Sequence, residues 1–171
     1  MKWGPFIILA LATIVLQTSV LAGFPLWGAF PDLMFVLAVH YAMWAPWPEA
    51  GLAAWILGFI LGAESAGVGT AALYAFCYGA AAWLIVLLRQ VLFREHPATQ
   101  VLVTLVFALG VQLAAEAFHG WKAGRPALAV GAWPAALGTA VLTAAVAPLV
   151  HRGLAVLGGW TGLRVGRGRR R

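Results

Sequence analysis

Charge is what this chain has least of. Only 9% of its 171 residues are Asp, Glu, Lys or Arg, 63% are hydrophobic, and the mean hydropathy is +0.92. A water-soluble domain of this length needs several times more charge to cover its surface, so the apolar excess has to face lipid. Cysteine is nearly absent as well: Cys77 stands alone, which excludes an intramolecular disulfide and leaves the redox compartment unread. His40, His96, His119 and His151 are scattered, with no pair three to five residues apart, so no metal-ligand spacing and no cofactor is indicated. There is no P-loop, no G-x-S-x-G, no paired-histidine motif and no nucleophile beside a base, and the sequence points away from an enzyme. The net charge of +6 does not indicate nucleic acid, because most of it lies in Arg164, Arg167 and Arg169 to Arg171 behind the last apolar segment. There a basic tail acts as a topology signal and touches anionic lipid of the bilayer.

What is present is six apolar segments, at about 4–22, 31–46, 49–65, 68–92, 99–118 and 133–157. They are separated by Gly23 to Phe30, the Ala45-Pro46-Trp47-Pro48-Glu49 stretch, Ser65 to Gly67, Arg94 to Pro97 and a longer polar loop from His119 to Gly131. Four segments meet the roughly 20 residues needed to cross a bilayer as a helix. The second and third are short, and either cross or form one re-entrant hairpin. The expected fold is an all-α integral membrane protein: a bundle of transmembrane helices over residues 1–157 and a basic tail over 158–171. With the N-terminus inside, nine Lys and Arg (Lys2, Arg89, Arg94, Arg152 and the five tail arginines) lie on the cytoplasmic side and two, Lys122 and Arg125, outside. That asymmetry puts both termini in the cytoplasm. The first segment also reads as a signal peptide with a Val20-Leu21-Ala22 site; retention as an anchor is the favoured reading, and cleavage leaves the facing of the other five unchanged.

Helices in a bilayer associate through close backbone approach. Ala50, Ala54, Gly58 and Gly62 recur every four residues, as do Ala71, Ala75 and Gly79, and Ala136, Ala140 and Ala144. These faces suit internal packing first and a partner second. Six of the nine tryptophans fall near expected span ends, whereas Trp55 and Trp83 lie deeper and read as packing residues rather than a ligand cage. Ionisable groups at membrane depth invite a functional reading. Asp32, His40, Glu64 and Glu116 are the members of a possible proton or ion relay, although Asp32 follows Pro31 where a helix cap belongs and only His40 is deep. Gln112, Glu116, His119 and Trp121, close together on one segment, are the residues available to a ligand pocket in the outer half.

Pro31-Asp32-Leu33 opening the second segment and Gly58-Phe59-x-x-Gly62 closing the third resemble the rod shape-determining protein MreD family. So do the order and spacing of Gly67, Gly69, Tyr78-Gly79 and the run from Arg89 to Phe93-Arg94-Glu95-x-Pro97. The resemblance covers roughly residues 8 to 115. The family commonly carries an aspartate just after the Gly-Phe-x-x-Gly element; here Glu64 and Ser65 occupy that stretch, so an acidic role transfers to Glu64 alone. The resemblance implies six spans, similar to the substrate-binding subunits of energy-coupling-factor transporters. It implies a non-enzymatic scaffold in the bacterial inner membrane, working in cell elongation and peptidoglycan synthesis. Its partners would be an MreC-like membrane protein, the MreB cytoskeleton, a RodA-type glycan polymerase and a class B penicillin-binding protein. Asp32, Gly58, Phe59, Gly62 and Glu64 are then the packing or partner-interface candidates. The competing reading is a small-molecule capture or transport subunit.

Overall fold

The computed structural model describes residues 1–19, 29–64, 68–90, 96–124 and 133–163. Their secondary structure is helical: α1 (Trp3–Ser19), α2 (Leu33–Trp44), α3 (Trp47–Glu64), α4 (Val68–Leu88), α5 (Pro97–Lys122), α6 (Trp133–Val156) and the single turn α7 (Gly158–Thr161). A helix lies over each of the six apolar segments. Among the described residues, Gly69–Leu88, Pro97–Lys122 and Pro134–Val156 are long and apolar enough to cross a membrane. The helix α2, with 12 residues, spans about 18 Å at 1.5 Å per residue, well short of a hydrocarbon core of about 30 Å.

That short helix is the centre of the molecule. Ten of its twelve residues, Met34 to Met43, are buried, and α1, α3, α4, α5 and α6 all touch it. A helix apolar on every side has no face for water and belongs inside. Its start is set by Asp32, whose Oδ1 accepts from the Met34 N–H at 2.9 Å, an N-cap that satisfies a donor the helix itself leaves orphaned. Pro46 and Pro48 force the chain into α3 immediately after it. Phe35 of α2 stacks on Tyr78 of α4 at 5.1 Å and meets Phe107 of α5 edge-on at 5.8 Å, a three-ring contact that ties three helices together.

The small-residue stripe of α3 is used inside the molecule. A Cβ on Gly58 would lie 2.5 Å from the Tyr74 carbonyl oxygen, and one on Gly62 would lie 2.6 Å from the Ala71 Cα. Backbone meets backbone along α3 and α4 at these two positions. Ala50 and Ala54 of α3 are buried, as are Ala71 and Ala75 of α4. One step round the helix, Phe59 and Trp55 point outward at 47% and 50% exposure, stacked on one another. Trp83 is likewise half exposed. Trp55, read as a packing residue, packs from the outer wall: it stacks on Phe59 and lies 3.3 Å from a Cβ built on Gly79 of α4.

Two boundaries also move. Helix α5 continues to Lys122, so His119 to Lys122 are helical rather than the start of a loop. The interruption comes at Gly124, whose φ of 62° ends the helix, while Lys122 lies over the Phe118 ring one turn back. Residues 158–163, expected to begin the tail, are folded. The Thr161 carbonyl accepts from the Lys2 N–H at 3.0 Å, and Gly162, at φ 73°, turns the chain where a Cβ would press on Lys2. The arginines from 164 onward, the Val20-Leu21-Ala22 site, Ser65 to Gly67, Arg94 and Arg125 lie outside the described residues.

Several contacts gather the N-terminus, the α2–α3 turn and α7 at one end. Besides the Lys2–Thr161 bond, the Met1 ammonium pairs with Glu49 at 2.7 Å, and the Arg89 guanidinium donates to the Ala45 carbonyl at the turn between α2 and α3. Large apolar side chains such as Ile7, Leu11, Phe76, Leu84, Leu102, Val106 and Leu149 cover the flanks at more than half exposure, a surface that water would not tolerate over such an extent.

Candidate functional site

At the end away from Met1 and α7 the helices part around a cavity of about 480 Å³, within the range of small-molecule sites. Every long helix supplies part of its wall. Gln17 comes from the last turn of α1, Phe30 and Asp32 from the approach to α2, and Phe35 from α2 itself. Leu61 and Glu64 come from the last turn of α3, Tyr74 from α4, Gln112 and Glu116 from α5, and Ala135, Ala136 and Thr139 from the start of α6. Gln112 and Glu116 share a helix face because residues four apart are neighbours on it.

Asp32 is the most firmly held of the acids. It is 6% exposed; its carboxylate caps α2, and its own N–H donates to Thr143 Oγ1 at 2.8 Å. The Thr143 hydroxyl in turn donates to the Thr139 carbonyl at 2.6 Å, so α6 fixes the cap of α2 across 111 residues of sequence. Asp32→Ala is expected to cost about 1 kcal/mol through the lost cap, measured as a lower thermal midpoint in detergent; an unchanged midpoint contradicts the capping role. Glu64 and Glu116 are exposed to the cavity mouth and form no ion pair among the described residues. Gln17 is 9% exposed, and its Oε1 has no hydrogen-bond partner. No Lys or Arg lines the cavity among the described residues. No group of three His, Cys, Asp or Glu converges there as metal ligands, again among the described residues; the carboxylates are spread round the wall.

The structure thus merges the two sets of candidates that the sequence kept apart. Asp32 and Glu64 face the same space as Gln112 and Glu116. His119 and Trp121 are not on the lining: both are exposed, Trp121 to 74%. Gly58 and Gly62 serve the α3–α4 contact and Phe59 the outer wall. Gln17, Tyr74 and Thr139 were missed. Gln17 had a readable signal, a lone amide closing an otherwise apolar run; Tyr74 and Thr139 had none.

His40 is outside the cavity. It is 1% exposed and its Nδ1 lies 3.0 Å from Nδ1 of His151, itself 2% exposed, so α2 and α6 meet through a buried imidazole pair. At that distance one Nδ1 donates and the other accepts. Neither Nε2 has a partner. The separation of 111 residues is why no spacing rule found the pair. Compared with models of known protein families, with curated proteins and with solved structures, the chain matches none.

Proposed function

We propose that this chain is a six-helix, non-enzymatic scaffold of the bacterial inner membrane, with both termini cytoplasmic and the short α2 enclosed by the other helices, that holds cell-elongation and peptidoglycan-synthesis proteins together. The resemblance to the MreD family supplies the class. The observation that carries the contact role is a second hollow of about 390 Å³ between α4 and α5, lined by Ala81, Leu84, Ile85, Leu88, Leu102, Val103, Val106, Phe107 and Gly110. Every one of those side chains is apolar. Gly110 is exposed and leaves its side open, since a Cβ there would meet nothing within 4 Å. Such a groove has room for the side chains of a partner's membrane helix, and a small residue lets the two backbones come close. The single span of an MreC-like protein is the occupant proposed. Filling the groove with Gly110→Phe is expected to leave protein level and thermal midpoint unchanged while lowering co-purified MreC-like partner at least fivefold. Undiminished co-purification would remove the groove from the proposal.

Orientation follows from charge. Lys2 and Arg89 lie at the end that holds Met1 and α7, and Lys122 lies at the cavity end, 3.9 Å from a Cβ built on Gly69. With the excess of Lys and Arg cytoplasmic, the cavity opens outward. In a Cys77→Ala background, a cysteine replacing Ala123 is expected to react with an impermeant maleimide from outside, and one replacing Arg152 only after permeabilisation. The reverse pattern overturns the orientation.

A second reading, a small-molecule capture or transport subunit resembling an energy-coupling-factor S-component, is favoured by the cavity. Polar side chains from α1, α3, α4, α5 and α6 converge on it together with Asp32 at the head of α2, which scaffolding by itself does not require.

A further inference from the structure

The cavity walls differ in what they ask of an occupant. One part carries negative charge: Asp32, Glu64 and Glu116, with no Lys or Arg opposing them among the described residues. An anion would meet only repulsion there. A bare metal ion is also a poor fit, because no three of the described carboxylates and imidazoles converge on a common point. A small inorganic cation would leave most of about 480 Å³ unfilled. Another part of the wall is apolar and aromatic, with Phe30, Phe35 and Leu61 beside Tyr74. Aromatic faces attract an ammonium and pack an apolar substituent equally well.

Gln17 narrows the chemistry further. Its side chain lines the cavity, nine-tenths buried, and Oε1 accepts no hydrogen bond. A buried acceptor without a donor is costly and is relieved by an N–H or O–H brought in by a ligand. A primary ammonium offers N–H donors, so one of them can satisfy Oε1 of Gln17 while its charge faces the carboxylates of Glu64 and Glu116, which are not committed to a helix cap as Asp32 is. A quaternary ammonium has the charge but no N–H.

We infer that this cavity binds a primary ammonium group carrying an apolar substituent. The inference rests on the capture reading only in placing a ligand here, and it is independent of the scaffold. Two sources offer a primary ammonium: a free organic amine, whose substituent is apolar, and the headgroup of phosphatidylethanolamine, whose phosphate has to stay outside the acidic wall.

The test is equilibrium binding of phenethylammonium to the full chain, purified into phosphatidylglycerol nanodiscs and measured by calorimetry. Expected is saturable, one-to-one binding, at least tenfold tighter than that of the N,N,N-trimethyl analogue and of phenylacetate. Glu116→Gln, at an exposed position where folding is not at stake, should weaken phenethylammonium at least tenfold, and Gln17→Leu should erase the preference for primary over quaternary. Glu49→Gln, at the opposite end, should leave affinity unchanged. Including phosphatidylethanolamine in the nanodiscs separates the sources. Competition assigns the ammonium to a lipid headgroup and its absence assigns it to a free solute, and both support the ammonium site. Equal or tighter binding of phenylacetate, no saturable binding of phenethylammonium, or affinity indifferent to Glu116→Gln overturns the inference. Binding as expected with no amine accumulation in cells overexpressing the protein would retain the ammonium site and discard the transport reading.

Discussion

Leucine in place of Gly58 is expected to destabilise the protein by about 3 kcal/mol or more, at the upper end of overpacking penalties. The reason is what the new side chain would strike. The nearest atoms are the Tyr74 carbonyl oxygen and carbon at 2.5 and 2.8 Å and the Tyr78 Cβ at 2.8 Å. None of them is the tip of a flexible side chain, so relief requires α3 and α4 to separate. Separation would also loosen Tyr78 from Phe35 and Phe107. Gly110→Leu provides the control, since the same change there meets open space and should leave the fold intact. Fluorescence-detected size exclusion after heating reads both: Gly58→Leu should accumulate poorly or lose its monodisperse peak many degrees below the parent, while Gly110→Leu and the exposed Leu52→Ile should match it. A Gly58→Leu protein with parental abundance and midpoint would show that the α3–α4 contact is not close.

His151→Leu is expected to be the next most damaging change. It removes one member of a pair whose rings are both almost fully buried, and it leaves Nδ1 of His40 beside a methyl group. An unsatisfied buried polar atom costs about 1–3 kcal/mol, whereas exchanging both partners for apolar groups of similar size is nearly neutral. The double variant His40→Leu/His151→Leu should therefore recover most of the loss, to within about 1 kcal/mol of the parent, and the two substitutions should be non-additive. Thermal midpoints of the four proteins complete the cycle. If the double loss equals the sum of the single losses, the imidazoles are not coupled. His40→Gln offers a functional check on the proposed scaffold role: under that proposal it should retain cell-shape function wherever the protein accumulates. Loss of function at normal abundance and partner binding would favour transport.

The apolar segments were legible because each property involved is local. Hydrophobic run length, proline and glycine breaks and the four-residue recurrence of Ala50, Ala54, Gly58 and Gly62 are all written along one helix. So was Asp32 as a cap, since the residue it satisfies is two positions away. The end of α5 was misplaced because Gly120 and the polar residues near it imitate a break, and only Gly124 adopts the left-handed backbone that makes one.

By itself the sequence determined that the chain has too little charge for a water-exposed surface, that it is helical, where its helices run and which of them carry small-residue faces. Tertiary structure alone decided what those helices surround. The 12-residue α2 became the centre because it is apolar on all sides, and that placed Asp32 at a cavity whose other walls come from α1, α3, α4, α5 and α6. Gln17 and Thr139, or His40 and His151, are brought together by packing across more than 100 residues. No periodicity within a segment encodes such a meeting, because the position of one helix against another depends on close backbone approach summed over all the contacts at once.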